Sequence, residues 1–186
     1  MSFSTVPLKI PEVILIKPKI NTDMRGEFTK IFDSSLTLNG IKYTFIEDSI
    51  STSKKNVLRG LHYQLSPYLE GKLITVIHGT IFDVAVDIRK NSPNFGKYVC
   101  IELSGNTKDM IWIPPGFAHG FVALSENTTI MYKMTMPYHS DKQKGIIWND
   151  PDLAIPWPVK KPIISNRDKE FPRLTEAEIN FSMTNL

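Results

Sequence analysis

The segment VLRGLHYQ, residues 57–64, crowds a guanidinium, a glycine and an imidazole into an otherwise strand-like run, with His62 flanked by Leu61 and Tyr63. An imidazole titrates near neutral pH and can act as an acid-base catalyst, ligate a metal or serve as a structural group. Metal ligation is poorly supported. On a strand, the residue sharing a face with His62 is Gln64, a weak ligand beside imidazole or carboxylate. His78 lies beside a turn and His139 in a polar stretch, so only His62, His119 and Glu70 could converge, too few for a persuasive catalytic zinc or iron set. Acid-base work needs company, and four other residues could supply it. His119 stands in PPGFAHGF, where Pro114, Pro115 and Gly116 predict a tight turn that delivers the ring at a strand start. Lys72 opens the strand-like KLITVIH, where an edge lysine that blunts aggregation is the plainer reading. Tyr132 sits inside TIMYKM and reads as core with a bonded hydroxyl, and Asp168 in ISNRDKEF reads by itself as an exposed loop aspartate. On pattern alone, His62 as a satisfied structural group stands ahead of His62 as a catalyst.

The elements that must position these groups are strands. Short runs rich in Val, Ile and aromatic residues, each closed by a turn signal, recur along the chain: VILIKPK, EFTKIF, YTFIEDSIS, VLRGLHYQ, KLITVIH, TIFDVAVDI, YVCIEL, MIWI, FVAL and TTIMYKMTM. About ten strands exceed what one twisted open sheet holds comfortably, which predicts two packed sheets or a closed jelly roll. In TIFDVAVDI, Phe82, Val84, Val86 and Ile88 share one face; Ile81, Asp83, Ala85 and Asp87 share the other, a mixed face suited to a cavity rim or a subunit contact. Proline-rich residues 149–162 read as an extended connection laid over the barrel. Only residues 34–40 and 175–180 look helical.

Composition narrows the classes. The chain has 186 residues, of which 41% are hydrophobic and 22% charged, as expected of one soluble globular domain. The net charge of +3 comes from scattered Lys and Arg, without the basic stripe of a nucleic-acid binder, though a small anionic ligand would be welcome. Cys100 is the only cysteine, sits in an apolar run where burial is expected, and fits a reducing compartment. No apolar stretch is long enough to span a bilayer, and MSFSTVPLKIPEV lacks the apolar core of a signal segment, so a cytoplasmic protein is expected.

Several unrelated motifs recur in one order: VLRGLHYQ, GKLITVIHGTIFDVAVDIRKNSPNFGKY, WIPPGFAHGFVALS, GIIWNDPDLAIPWP and SNRD. From about Asp23 to Asp168 the chain resembles the dTDP-4-dehydrorhamnose 3,5-epimerase family. The resemblance implies an all-β, cupin-type jelly roll with short peripheral helices, spanning 1–186 as one domain. Its parts would be N-terminal strands to about residue 50, a core over about 51–137 and a C-terminal wrap from about 138. It also implies a homodimer and a cofactor-free, metal-free epimerase acting on a nucleotide-linked 4-keto-6-deoxy sugar, in supply of surface polysaccharide. Inverting a centre α to a ketone needs a base on one face, an acid on the other and positive charge at the enolate oxygen. By resemblance His62 is the base, Asp168 orients it, Tyr132 is the acid and Lys72 lies near the keto oxygen. Arg59, His119 and Arg167 would hold the diphosphate, Tyr138 would stack on the thymine, and Arg25 with Phe28, near the dimer partner, would grip the nucleotide.

A regular strand puts Arg59 and His62 on opposite faces, so both can line one pocket only if the ladder is broken, and Gly60 predicts a bulge there. The chain departs from the family in the nucleotide grip, with Glu47, Asp48 and Ser49 where Gln-Asp-Asn is usual and with Lys30 and Gln143 where Glu is usual. A Lys30 to Glu47 ion pair is the expected compensation. Three other readings remain at this point: a single-centre or other deoxysugar epimerase, a metal-dependent cupin enzyme, and a non-catalytic sugar-binding jelly roll that stacks sugars on Trp112, Trp148 and Trp157.

Overall fold

The computed structural model describes residues 2–185. The first strands are β1 (Phe3–Pro7), β2 (Ile14–Pro18), β3 (Ile20–Asp23), β4 (Gly26–Thr29), β5 (Glu47–Ser53) and β6 (Leu58–Gln64). They are followed by β7 (Lys72–His78), β8 (Thr80–Asp87), β9 (Tyr98–Ser104), β10 (Met110–Ile113), β11 (Phe117–Ala123), β12 (Thr128–Met134) and β13 (Gln143–Gly145). A short helix, α1 (Asn166–Lys169), and two 3₁₀ turns follow. A six-stranded sheet runs β1-β2-β10-β7-β12-β5, a five-stranded sheet runs β13-β6-β11-β8-β9, and β3 and β4 form a separate hairpin. The two large antiparallel sheets pack face to face as a jelly roll.

Period-two alternation sorts the side chains into three buried layers. Between the sheets lie Ile74, Val76, Ile81, Ala85, Ile111, Phe121 and Ile130. On the outer face of the five-stranded sheet, Leu61, Tyr63, Val84 and Val86 meet Ile146, Leu153, Leu174, Ile179 and Phe181 from the C-terminal wrap. Outside the six-stranded sheet, Ile14, Ile16, Leu73 and Trp112 are covered by Leu36 and Leu38. Each fully buried aliphatic or Phe side chain contributes about 1.5–3 kcal/mol. The wrap that carries Asp168 is therefore held by its own apolar anchors and is an integral layer of the fold. The mixed face of β8 is the one turned between the sheets, where Asp83 is fully buried.

All ten strands expected from the pattern are present. The structure adds β1, β3 and β13, which are polar, proline-bearing or three residues long and carry little periodicity. Residues 34–40 are not helical: Leu36 and Leu38, two apart, are both buried, and Asn39 takes φ 51°. Residues 175–180 hold only the end of one 3₁₀ turn (Leu174–Glu176), because Ile179 and Phe181 alternate into the outer layer as an extended chain would. Cys100 is exposed rather than buried: β9 is an edge strand whose Val99 and Leu103 turn inward, leaving Cys100 on the opposite side. Residues 149–162 form the expected connection laid over the sheet, with Leu153, Ile155 and Trp157 packed on it. No helix of the described residues is long and apolar enough to cross a membrane.

Candidate active site

The site begins with a fault in β6. Along β11, His119 pairs with His62 but Phe121 pairs with Arg59, so three residue steps on β6 oppose two on β11. This is the bulge expected at Gly60. Gly60 has φ 123°, and a Cβ there would lie 2.5 Å from the Gly120 Cα and 2.7 Å from the His119 carbonyl oxygen, so only glycine fits. Beyond the bulge Leu61 and Tyr63 enter the outer layer, which turns His62 toward the space between the sheets. Arg59 points the same way, its Nε donating to Ser53 Oγ of β5 in the opposite sheet at 3.1 Å. The bulge also detaches the Gly60 N–H from the ladder, and that N–H donates to Asp168 Oδ2 at 3.1 Å.

Asp168 is delivered by α1, where Ser165 caps the helix and its Oγ accepts from the Asp168 N–H at 3.1 Å. Asp168 is 2% exposed and places Oδ1 3.0 Å from His62 Nε2, so the exposed-loop reading of Asp168 is corrected. An ionised carboxylate only accepts, which assigns the hydrogen to Nε2 and leaves the Nδ1 lone pair free. Burial would raise the Asp168 pKa, but the His62 bond and charge, the Gly60 N–H and Ser165 outweigh it and hold the group at about 2. Burial pushes His62 below the ordinary imidazole range; Asp168 opposes this, while Lys72 and Arg167 reinforce it. Both shifts keep the free pair at neutral pH as a neutral imidazole bonded to a carboxylate.

The facing sheet supplies Lys72 and Tyr132. Lys72 is not at a sheet edge: β7 runs between β10 and β12, and the side chain is buried with Nζ 2.8 Å from Glu70 Oε1. Tyr132 is raised well above the ordinary phenol range, chiefly by burial and then by the charge of Asp83, with Arg59 opposing, so it stays protonated. Lys72, Glu70 and Tyr132 line a cavity of about 330 Å³ together with Glu47, Ser49, Met134, Tyr138 and Gln143. His119, buried beside Tyr132 at 6.4 Å between ring centroids, bonds Asp83 Oδ2 through Nε2 at 2.8 Å. The imidazoles of His62 and His119 sit on directly paired residues of neighbouring strands, His119 lies beside Tyr132, and the Lys72 charge acts on His62, so imidazole, phenol and ammonium converge on one end of the sandwich.

The rim is organised by Glu47. Its Oε2 accepts from the Tyr138 backbone N–H at 3.0 Å and its Oε1 from Ser49 Oγ at 3.1 Å, while the Tyr138 hydroxyl donates to Gln143 Oε1 at 3.3 Å. The expected Lys30–Glu47 pair is absent. Lys30 Nζ lies 3.0 Å from Asp33, three residues away on its own segment, and both Glu47 oxygens already have donors. Arg25 and Phe28 are also remote from the cavity within this chain: Arg25 is bonded to Asp23 and Phe28 is 68% exposed on the β3–β4 hairpin. Arg167 lies beside the dyad, with Nε 3.6 Å from Asp168 Oδ1. The three tryptophans do not form one platform: Trp112 is fully buried outside the six-stranded sheet, while Trp148 and Trp157, joined by a Trp157 Nε1 bond to the Trp148 carbonyl, line a separate surface cavity. Among the described residues no group of three or more His, Cys, Asp or Glu side chains could hold a metal ion. Sequence reasoning missed the partner roles of Asp83 and Glu70. A charge inside an apolar alternation was the available signal for Asp83, and nothing in the sequence pointed to Phe171, described below.

Residues 7–176 match the family model described as dTDP-4-dehydrorhamnose 3,5-epimerase. The enzyme of that name from Salmonella typhimurium is 46% identical over 171 residues, covering 90% of this chain and 93% of that one. The Shigella flexneri enzyme is 42% identical over 177 residues, covering 94% and 98%. Among solved structures, the Sulfolobus tokodaii epimerase superposes with a TM-score of 0.90 at 44% identity, covering 98% of this chain and all of that one. The Legionella pneumophila dTDP-6-deoxy-D-glucose-3,5-epimerase, solved with dTDP-4-keto-L-rhamnose, gives 0.86 at 42% identity, covering 94% of each. With a dyad, a phenol and a buried ammonium already gathered at one end of a jelly roll, these matches across nearly the whole length establish that the chain belongs to the dTDP-4-dehydrorhamnose 3,5-epimerase family.

Proposed function

We propose that the protein converts dTDP-4-dehydro-6-deoxy-D-glucose to dTDP-4-dehydro-L-rhamnose by inverting C3 and C5 through enolates. The observation that carries this reading is His62 on β6, bonded to Asp168 from α1, across from Lys72 and Tyr132 on the other sheet. His62 Nδ1 takes a proton from the carbon α to the ketone, the C–H electron pair moves into the ring, and negative charge builds on the C4 oxygen. Lys72 stabilises that oxyanion, and the neutral Tyr132 phenol returns a proton to the opposite face. Asp168 holds the tautomer and stabilises the imidazolium that forms.

Arg59, His119 and Arg167 bind the diphosphate, for which guanidinium geometry is suited. Tyr138, braced by Glu47 and Gln143, stacks on the thymine, and Ser49 lies beside it. Arg25, Phe28 and Lys30 reach the nucleotide of a partner subunit in a homodimer, which accounts for a β3–β4 hairpin that pairs with no other strand among the described residues. The one exposed, unpaired Cys100 fits a cytoplasmic enzyme. No cofactor enters the scheme.

The test is incubation with dTDP-4-keto-6-deoxyglucose in heavy water. Deuterium at both C3 and C5 of an L-configured product is expected. Exchange at C3 alone would make the protein a single-centre epimerase, and no exchange would overturn the reading.

A further inference from the structure

Phe171 is absent from the scheme above, yet it is the ring that covers His62 from behind. Its centroid lies 5.6 Å from that of the imidazole, at 82°, an edge-on aromatic contact. The space it occupies exists because residue 145 is glycine. Gly145 is the direct strand partner of His62, and a Cβ there would stand 2.2, 2.3 and 2.5 Å from three atoms of the Phe171 ring. The next residue fixes the segment, since the Pro172 carbonyl accepts from the Ile147 N–H at 2.9 Å, two residues past Gly145. The Arg167 guanidinium lies over the same ring, 5.9 Å from its centroid. A single phenyl ring is thus seated in a glycine-made notch, with the imidazole at its edge and a cation above it.

We propose that Phe171, seated against Gly145, is a positioning residue for His62 that fixes the plane of the imidazole and keeps water off its back. The proposal rests on His62 acting as the base. The groups that face His62 are Asp168 and Arg167 from the α1 segment, Lys72 from β7 and His119 from β11; β13 presents only Gly145 directly opposite. Burial is the largest influence lowering its proton affinity, and Phe171 is the aromatic ring that contributes to that burial from the wrap. Removing the ring admits water, makes the charged imidazole cheaper and raises its pKa. A base that must be unprotonated to act then loses activity at a higher pH, so the acid limb of kcat/KM moves upward.

The test follows His62 in 15N-histidine-labelled protein by NMR, with its signal assigned through its loss in His62→Gln. In Phe171→Ala the titration midpoint is expected to rise by on the order of half a pH unit or more, with the acid limb of kcat/KM rising in parallel. Gly145→Ala, whose methyl evicts the ring, is expected to give the same displacement. Phe171→Leu, which restores apolar cover, is expected to titrate close to the unaltered protein. An unchanged midpoint in Phe171→Ala, or in Gly145→Ala should the former not fold, overturns the proposal. So does an unaltered protein in which His62 already titrates at the ordinary imidazole position. Because the titration needs no substrate, it is separable from the heavy-water exchange that decides the reaction itself.

Discussion

Lys72 meets the cavity with its charge already matched: Nζ stands 2.8 Å from Glu70 Oε1, with the two side chains only 10% and 5% exposed. Glu70 Oε2 is held in turn by Gln64 Nε2 at 3.2 Å. Such a pair contributes little net stability, but losing one member strands the other in a poorly solvated place. Lys72→Ala is therefore expected to cost about 3–5 kcal/mol by denaturant unfolding. Lys72→Ala with Glu70→Gln should regain most of that. Activity would separate pairing from the proposed catalytic role of the ammonium: with Lys72 steadying the enolate oxygen as proposed, turnover falls on the order of 10² to 10³ in both variants.

The dyad should make the fold acid-sensitive in two steps. The His62 pKa is lowered by burial, so its contribution to stability is complete above the ordinary value of 6.5 and is lost as pH falls below it. Asp168 is lowered from 3.8 to about 2, so its contribution is present above about 3.8 and lost as pH falls through about 2, a loss of about 2 kcal/mol. Unfolding free energies measured between pH 8 and pH 2 should show both slopes. Asp168→Asn should remove the lower one, and its persistence there would assign the acid lability to other carboxylates.

Gly60→Ala tests the bulge. A side chain at φ 123° costs about 1–3 kcal/mol by itself. The added Cβ also meets β11 backbone at 2.5 Å, which must move Gly120 and with it the neighbouring His119. A melting temperature lowered by several degrees and near-complete loss of turnover are expected. A well-folded, fully active variant would show that the register fault is not needed to bring Arg59 and His62 to one pocket.

Replacing the two groups proposed to move protons should slow the reaction: Tyr132→Phe should leave the fold largely intact, whereas His62→Ala also leaves the buried Asp168 carboxylate without its imidazole and should lower stability. His62→Ala and Tyr132→Phe are each expected to lower kcat by roughly 10² to 10⁴, the usual worth of a positioned acid or base. The two losses should differ in kind. Without His62 the exchange of solvent deuterium into substrate stops, whereas with Tyr132→Phe abstraction continues and product formation lags behind exchange. Mass spectrometry of recovered substrate separates them.

How much of this was legible follows from which interactions are periodic and which are not. The strands could be read because inward and outward residues alternate, as in TIFDVAVDI, and the fault at Gly60 could be read because alternation alone separates Arg59 from His62. The burial of Asp168 could not, since its local sequence is polar and its partners lie 106 and 108 residues away. The Lys30–Glu47 pair was expected from charge swapping, but whether two distant charges meet depends on the path of the backbone, and Asp33 was nearer. Residues 34–40 hold only two good helix formers, Leu36 and Leu38, which the six-stranded sheet buries in an extended layer, while the Ser, Thr, Asn and Gly around them favour turns. Phe171 needed the glycine opposite it to be known as a strand partner of His62, and a three-residue strand leaves almost no trace in sequence.

The partners of the dyad are also remote in time. A chain emerging from the ribosome must extend past residue 168 before the imidazole made 106 residues earlier can find its carboxylate, so the barrel strands can all be synthesised while the base is still loosely held. Completion of the wrap is in this sense the step that assembles the dyad, and a polypeptide stalled before it would lack both the carboxylate partner of His62 and the apolar cover of the five-stranded sheet.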